Sequence, residues 1–200
     1  MNTLHVFVVE LEKQINDTIK TESGLELYID TRFENGEFDN RVTEGPVVCS
    51  PIKHDTGVKK GDTLYFHHLV VLNEGQKLTG VDKHFTVNYD SVHTLNNQAI
   101  AYKCQDTGEI KPLAGWTLLE SVEVEEEDTD SEIIEVVSFK KKLPTQGRVA
   151  FTAPWIDDLG LNIGDVVGFK ENRDYRIKID GKEYYRTRAE DLMYVIEENV

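Results

Sequence analysis

Basic residues are too scarce in this sequence to balance its acids: 22 Lys and Arg stand against 37 Asp and Glu, a formal net charge of −15 at pH 7. Phosphate binding needs clustered Lys and Arg, so nucleic acid and anionic membrane surfaces are excluded as partners. The one basic run, Lys140-Lys141-Lys142, is too short to change that. Long apolar runs are also missing, and nothing approaches the roughly 20 residues of a spanning helix. The opening MNTLHVFVVELE lacks a basic region followed by a hydrophobic segment, so a cytoplasmic chain without a membrane partner is expected. Cysteine is nearly absent: Cys49 and Cys104 read as reduced thiols rather than a disulfide framework.

Signatures of chemistry are missing too. The chain has no G-x-S-x-G, P-loop, G-x-G-x-x-G or H-E-x-x-H. Asp128-Thr129-Asp130-Ser131-Glu132 begins like a calcium loop, but Ile133 takes the required glycine position and Phe139 that of the bidentate acid. Among the six histidines, His67 and His68 are adjacent, which on a strand sends them to opposite faces. Catalysis, a metal site and a cofactor are not expected.

What is present is a core-forming share of hydrophobic residues, 39%, arranged in a pattern that recurs. Residues 43–66 read TEGPVVCSPIKHDTGVKKGDTLYF and residues 145–169 read TQGRVAFTAPWIDDLGLNIGDVVGF. With one residue inserted before the proline, eight positions are identical: Thr43/Thr145, Gly45/Gly147, Val47/Val149, Pro51/Pro154, Gly57/Gly160, Gly61/Gly164, Asp62/Asp165 and Phe66/Phe169. Each copy opens with a β-rich segment, LHVFVVELE at 4–12 and WTLLESVEVE at 116–125. Between them CQDTGEIKPLAG, 104–115, reads as a short linker punctuated by Gly108, Pro112 and Gly115. Units of roughly 1–108 and 112–200 follow.

Short Val/Tyr/Phe-rich runs bounded by Gly, Pro, Asn and Asp predict an all-β chain, each unit a small barrel or sandwich. The Gly-Asp pairs ahead of TLYF and VVGF read as tight turns feeding strands: glycine supplies the backbone angle and aspartate satisfies local amides. At the end of the chain, RAEDLMYVIEENV reads as a turn followed by a strand.

The order of these features resembles the GroES-type co-chaperonins: a first strand, a long polar loop carrying Ser23-Gly24-Leu25-Glu26-Leu27, VKKGDTLYF, and a closing GKEYYRTRAEDLMYVIEE. The resemblance covers nearly the whole chain, twice, and implies two tandem GroES-like small β-barrels. Only SPIKHDTGVKK and APWIDDLGLNI fill the space where family members often carry a roof hairpin, which is similar to certain bacteriophage co-chaperonins; tandem copies are similar to the double-domain forms of plastids. The family implies a non-catalytic protein that caps a nucleotide-bound GroEL-type chaperonin ring, acts on unfolded clients only indirectly, and forms a homo-oligomeric ring. The rival reading is a structural or interaction protein, phage-related, that keeps the fold without binding a chaperonin.

The site implied by the resemblance lies in TESGLELYI. Residues of about 16–44 correspond to the mobile docking loop, with Gly24, Leu25, Glu26, Leu27, Tyr28 and Ile29 at the chaperonin-binding anchor. Sequence pattern alone allows another reading: Asn35-Gly36 is a hairpin signal, so LELYIDTRF and EFDNRV could pair with Leu25, Leu27 and Ile29 in the core. The acidic stretch of about 123–135 occupies the matching place in the second unit and carries Ile133 and Ile134, a second candidate anchor or the entry to a strand.

Overall fold

The computed structural model describes residues 2–21, 23–28, 40–74, 77–125, 140–153, 160–173 and 175–196. The chain is all-β and divides into two units, Met1–Ala114 and Gly115–Val200. Among the described residues the helical elements are 3₁₀ turns: His68–Glu74, Thr94–Asn96 and Ala189–Asp191.

The first unit is built on a six-stranded antiparallel sheet of β1 (Val6–Glu10), β4 (Glu44–Cys49), β5 (Thr63–Phe66), β6 (His84–Asn88), β7 (Ala99–Lys103) and β8 (Ile110–Pro112), in the order β6-β1-β4-β5-β7-β8. A separate two-stranded sheet pairs β2 (Thr18–Lys20) with β3 (Glu26–Tyr28). The second unit holds β9 (Trp116–Glu125), β10 (Lys140–Phe151), β11 (Val166–Phe169), β12 (Arg176–Ile179), β13 (Lys182–Arg188) and β14 (Leu192–Ile196), in the order β12-β13-β9-β10-β11-β14. Within the described residues the outermost strands of each sheet do not pair with each other, so the two sheets are open.

Leaving out β8 and β12, the remaining five strands follow one order in both units, and the registers coincide. Gly45 faces Leu64 across β4–β5, and Gly147 faces Val167 across β10–β11. Val9 faces Val47, as Leu119 faces Val149. A bulge falls between Tyr65 and Phe66 against β7, and another between the matching Gly168 and Phe169 against β14. The glycines are required at these crossings: a Cβ on Gly45 would meet the Leu11 side chain at 2.5 Å, and one on Gly147 would meet Leu119 Cβ at 2.8 Å. The hydrophobic positions match as well. Val9, Val47, Leu64, Phe66 and Phe85 are buried in one core; Leu119, Val149, Val167, Phe169 and Tyr185 take the corresponding places in the other. Each such burial contributes about 1.5–3 kcal/mol.

The Gly-Asp turns behave as their composition dictates. Gly61 and Gly164 sit at φ +95° and +99°, a region that resists side chains. Asp62 Oδ2 accepts the Lys59 N–H at 2.8 Å, and Asp165 Oδ2 accepts the Asn162 N–H at 2.8 Å. Asp62 does more, because its Oδ1 also accepts the Gln105 N–H at 2.9 Å.

The stretch expected to be a linker, 104–115, instead contains β8, which pairs with β7 through Ala101↔Pro112, Tyr102↔Lys111 and Lys103↔Ile110. Proline is tolerated there because β8 is an outer strand. At the end of the chain the 3₁₀ turn Ala189–Asp191 leads into β14, as read from the sequence. In the first unit no strand lies within the described residues 52–62. Residues 154–159, in the matching stretch of the second unit, lie outside the described residues.

Candidate docking site

The loop between β1 and β4 leaves and returns through a bonded neck. The Asn16 N–H donates to the Asn40 carbonyl at 2.6 Å and the Val42 N–H to the Gln14 carbonyl at 2.8 Å, and Ile15 bridges to Arg41. Lys83 forms an ion pair with Glu12 just before the neck; the carboxylate raises the lysine's pKa. An open cleft of about 420 Å³, lined by Leu11, Ile15, Lys77 and Phe85 among others, lies beside it.

Beyond the neck, β2 and β3 pair through Thr18↔Tyr28, Ile19↔Leu27 and Lys20↔Glu26. Thr21 organises the turn. Its N–H donates to the Leu25 carbonyl at 2.9 Å, its hydroxyl accepts the Leu25 N–H at 3.1 Å, and its carbonyl accepts the Gly24 N–H at 2.9 Å. Thr21 and Ser23 hydroxyls lie 2.9 Å apart. Gly24 closes the turn at φ +83°; a Cβ there would meet open space, so backbone angle alone selects glycine.

This hairpin is not the one that Asn35-Gly36 signals. β3 pairs with the strand upstream of it, and Asn35-Gly36 lies outside the described residues. Nor do the leucines enter a core: Leu25 is 60% exposed, Leu27 48% and Tyr28 82%. Among the expected anchor residues, Gly24, Leu25, Glu26, Leu27 and Tyr28 thus share one short exposed hairpin, while Ile29, Ile133 and Ile134 lie outside the described residues. Thr21 was missed in the sequence; a threonine four residues ahead of an apolar residue is too common a spacing to flag.

Elsewhere the described residues offer no cluster of three or more His, Cys, Asp or Glu able to hold a metal. His67 and His68 do not point to opposite faces. β5 ends at Phe66 and a 3₁₀ turn starts at His68, so the backbone leaves the strand and brings the two rings to 4.1 Å. Both cysteines are free, and hydrogen bonds from Thr107 and the Asp106 amide lower the pKa of the Cys104 thiol. In the second unit Arg186 lies over the rings of Trp116 and Tyr175, at 5.7 and 5.2 Å; burial lowers its pKa to about 10, which leaves it charged at neutral pH.

The chain matches the family of the chaperonin 10 Kd subunit over residues 109–196, a span that begins just ahead of β8 and ends with β14. It is 32% identical over 95 residues to the co-chaperonin GroES of Cutibacterium acnes, an alignment covering 44% of this chain and 95% of that protein. The GroES of Coprothermobacter proteolyticus is 35% identical over 95 residues, with the same coverages. That of Halothermothrix orenii is 33% identical over 92 residues, covering 44% of this chain and 97% of the relative. The chain belongs to the chaperonin 10 Kd, or GroES co-chaperonin, family.

Proposed function

We propose that this protein is a tandem co-chaperonin that caps a nucleotide-bound GroEL-type ring and assists folding of the enclosed client, with ATP hydrolysis left to the partner. The observation that carries the proposal is the hairpin: Leu25, Leu27 and Tyr28 stand exposed on a segment paired with neither six-stranded sheet. An apolar groove on a partner would take up such side chains. Family membership supports the partner class.

The magnitudes favour weak docking by one hairpin. Burying a leucine side chain contributes about 1.5–3 kcal/mol. A two-stranded hairpin alone is marginal in water, and fixing each residue costs about 1–2 kcal/mol. Several copies in one assembly raise the effective concentration of the rest, so affinity comes from avidity and is released when the ring changes state. Ile29 extends the anchor, and Ile133 and Ile134 are the second candidate.

The shared strand order, registers and bulges support reading the chain as two GroES-like repeats, 1–108 and 112–200. The strandless stretch 52–62 supports a roofless form similar to that of bacteriophage co-chaperonins. The test is binding to a purified chaperonin ring with and without ATP or ADP, comparing wild type with Leu25→Ser/Leu27→Ser. Nucleotide-dependent binding lost in the double variant is expected. Unchanged binding by the variant would move the anchor. Absence of wild-type binding to the cognate ring would favour an interaction protein that only keeps the fold.

A further inference from the structure

We propose that Lys83 is a positioning residue for docking: it clamps the root of the β1–β4 loop and so sets how the leucine hairpin is presented to the chaperonin ring. This deepens the co-chaperonin reading, on which it rests for the partner. Among the described residues three non-glycines hold a positive φ: Lys83 at +61°, Asn172 at +59° and Asp180 at +52°. Asn and Asp enter the left-handed region readily, because their short polar side chains bond to the local backbone. Asp180 also stands in the turn between β12 and β13, beside Gly181. Lysine has no such local bond to gain. Its Cβ crowds the neighbouring carbonyl in that conformation, a strain that persists only where surrounding contacts over-determine it and that gathers at functional positions.

Two of the contacts that hold Lys83 go to the strand entering the neck. Its carbonyl accepts the Leu11 N–H at 2.7 Å, one bond beyond the last strand pair, Glu10↔His84. Its ammonium pairs with Glu12. The departing chain is thus bonded twice, by backbone and by side chain, just before Gln14, Ile15 and Asn16 make the neck. On the other side the turn is braced by the Lys77–Asp82 ion pair at 3.5 Å and by His84 Nδ1, 2.7 Å from the Asp82 carbonyl. Lys83 and Ile15 also line the same cleft, over Leu11 and Phe85. A hairpin on a fixed root has fewer orientations to lose when it docks, and avidity multiplies that saving over every copy.

The second unit supplies the contrast. Val9 pairs with Phe85 as Leu119 pairs with Tyr185, so Glu183 stands where Lys83 does. Glu183 lies inside β13, opposite Lys178, and is not among the residues of positive φ. Regular strand therefore runs through the matching position, and the strained residue occurs in the unit that carries the exposed leucines.

Lys83→Gly separates positioning from a merely structural role, because glycine relieves the strain and removes the ion pair together. The full-chain variant is expected to keep a thermal midpoint no lower than wild type. Its Asn16 and Val42 amides, the donors of the neck, should exchange about fivefold faster. Binding to a purified, nucleotide-loaded chaperonin ring should weaken by about tenfold. Lys83→Glu should weaken binding as well, and Lys83→Glu/Glu12→Lys, which restores the pair with its charges exchanged, should recover most of the loss. Should the charge variants fail to fold, the glycine variant still decides. Unchanged neck exchange or unchanged affinity in Lys83→Gly would overturn the inference while leaving the co-chaperonin reading in place. A glycine variant that loses stability and binding together would also overturn it, by assigning Lys83 to the fold alone. So would a charge-exchanged pair that binds no better than Lys83→Glu. A wild type that binds no cognate ring would remove both readings.

Discussion

The two units place five strands in one order and one register, yet treat the connections between them differently. In the first, the β1–β4 connection narrows to a neck at Ile15 and Arg41 and carries a hairpin with exposed leucines. In the second, the β9–β10 connection is acidic, and β10 runs past β9 with a wide bulge between Lys142 and Gly147 that holds Pro144. The first covers its last strand with β8; in the second no described strand lies beyond β14, and β12 flanks β13 instead. A few turn and crossing residues therefore carry the strand plan, while the segments between strands are free to diverge and to acquire partners.

The largest expected effect separates the two connections. Leu25→Ser/Leu27→Ser should weaken chaperonin binding by about a hundredfold or more, because avidity multiplies a modest loss per hairpin. Ile133→Ser/Ile134→Ser should change it by less than about threefold, if the acidic connection does not dock. Equilibrium titration of each variant against the ring, at fixed nucleotide, reads both.

The Gly-Asp turns give the next contrast. Asp62→Ala leaves the Lys59 and Gln105 N–H groups without their acceptor and should cost about 2–3 kcal/mol. Asp165→Ala removes one bond among the described residues, that from the Asn162 N–H, and should cost about 1 kcal/mol or less. Denaturant titration followed by hydrogen exchange in each unit would measure the pair, and equal costs would break the contrast.

Smaller still is the difference at the strand crossings. Gly147→Ala drives a methyl into Leu119 Cβ, which cannot swing away, whereas Gly45→Ala meets the far end of Leu11 first. Overpacking costs about 1–3 kcal/mol, with Gly147→Ala expected near the upper end and Gly45→Ala near the lower. Comparison of the two thermal midpoints checks the order.

The smallest effect is one of pH. Asp90 accepts the His93 and Val92 N–H groups, and these bonds hold its carboxyl below the ordinary carboxylate range. Its depressed folded-state pKa adds stability above the unfolded value, and that stability is lost as pH falls through the folded value. Acid should therefore loosen residues 90–97 first in wild type and not in Asp90→Asn, as seen in the pH dependence of amide exchange there.

Much of this was legible in the sequence because the signals are local. Gly61, Asp62, Gly164 and Asp165 announce their turns by residue type, and the paired motif fixes where the strands follow. The turn and strand that close the chain read correctly for the same reason. Pairings set by tertiary contact were not legible. β8 hides in a stretch whose Gly and Pro look like a linker, and only the edge of β7 makes it a strand. The β2–β3 hairpin was not legible because its turn depends on the Thr21 hydroxyl, while the hairpin that Asn35-Gly36 signals lies outside the described residues. His67 and His68 were misassigned because the end of β5 at Phe66 leaves no mark in the alternation of residues.

Hydrogen exchange of the full chain, free and bound to a nucleotide-loaded chaperonin ring, tests the central claim most directly. The account predicts protection gained at residues 21–28 on binding and none at 120–125. Binding with no change at 21–28, or protection appearing at 120–125 instead, would contradict it.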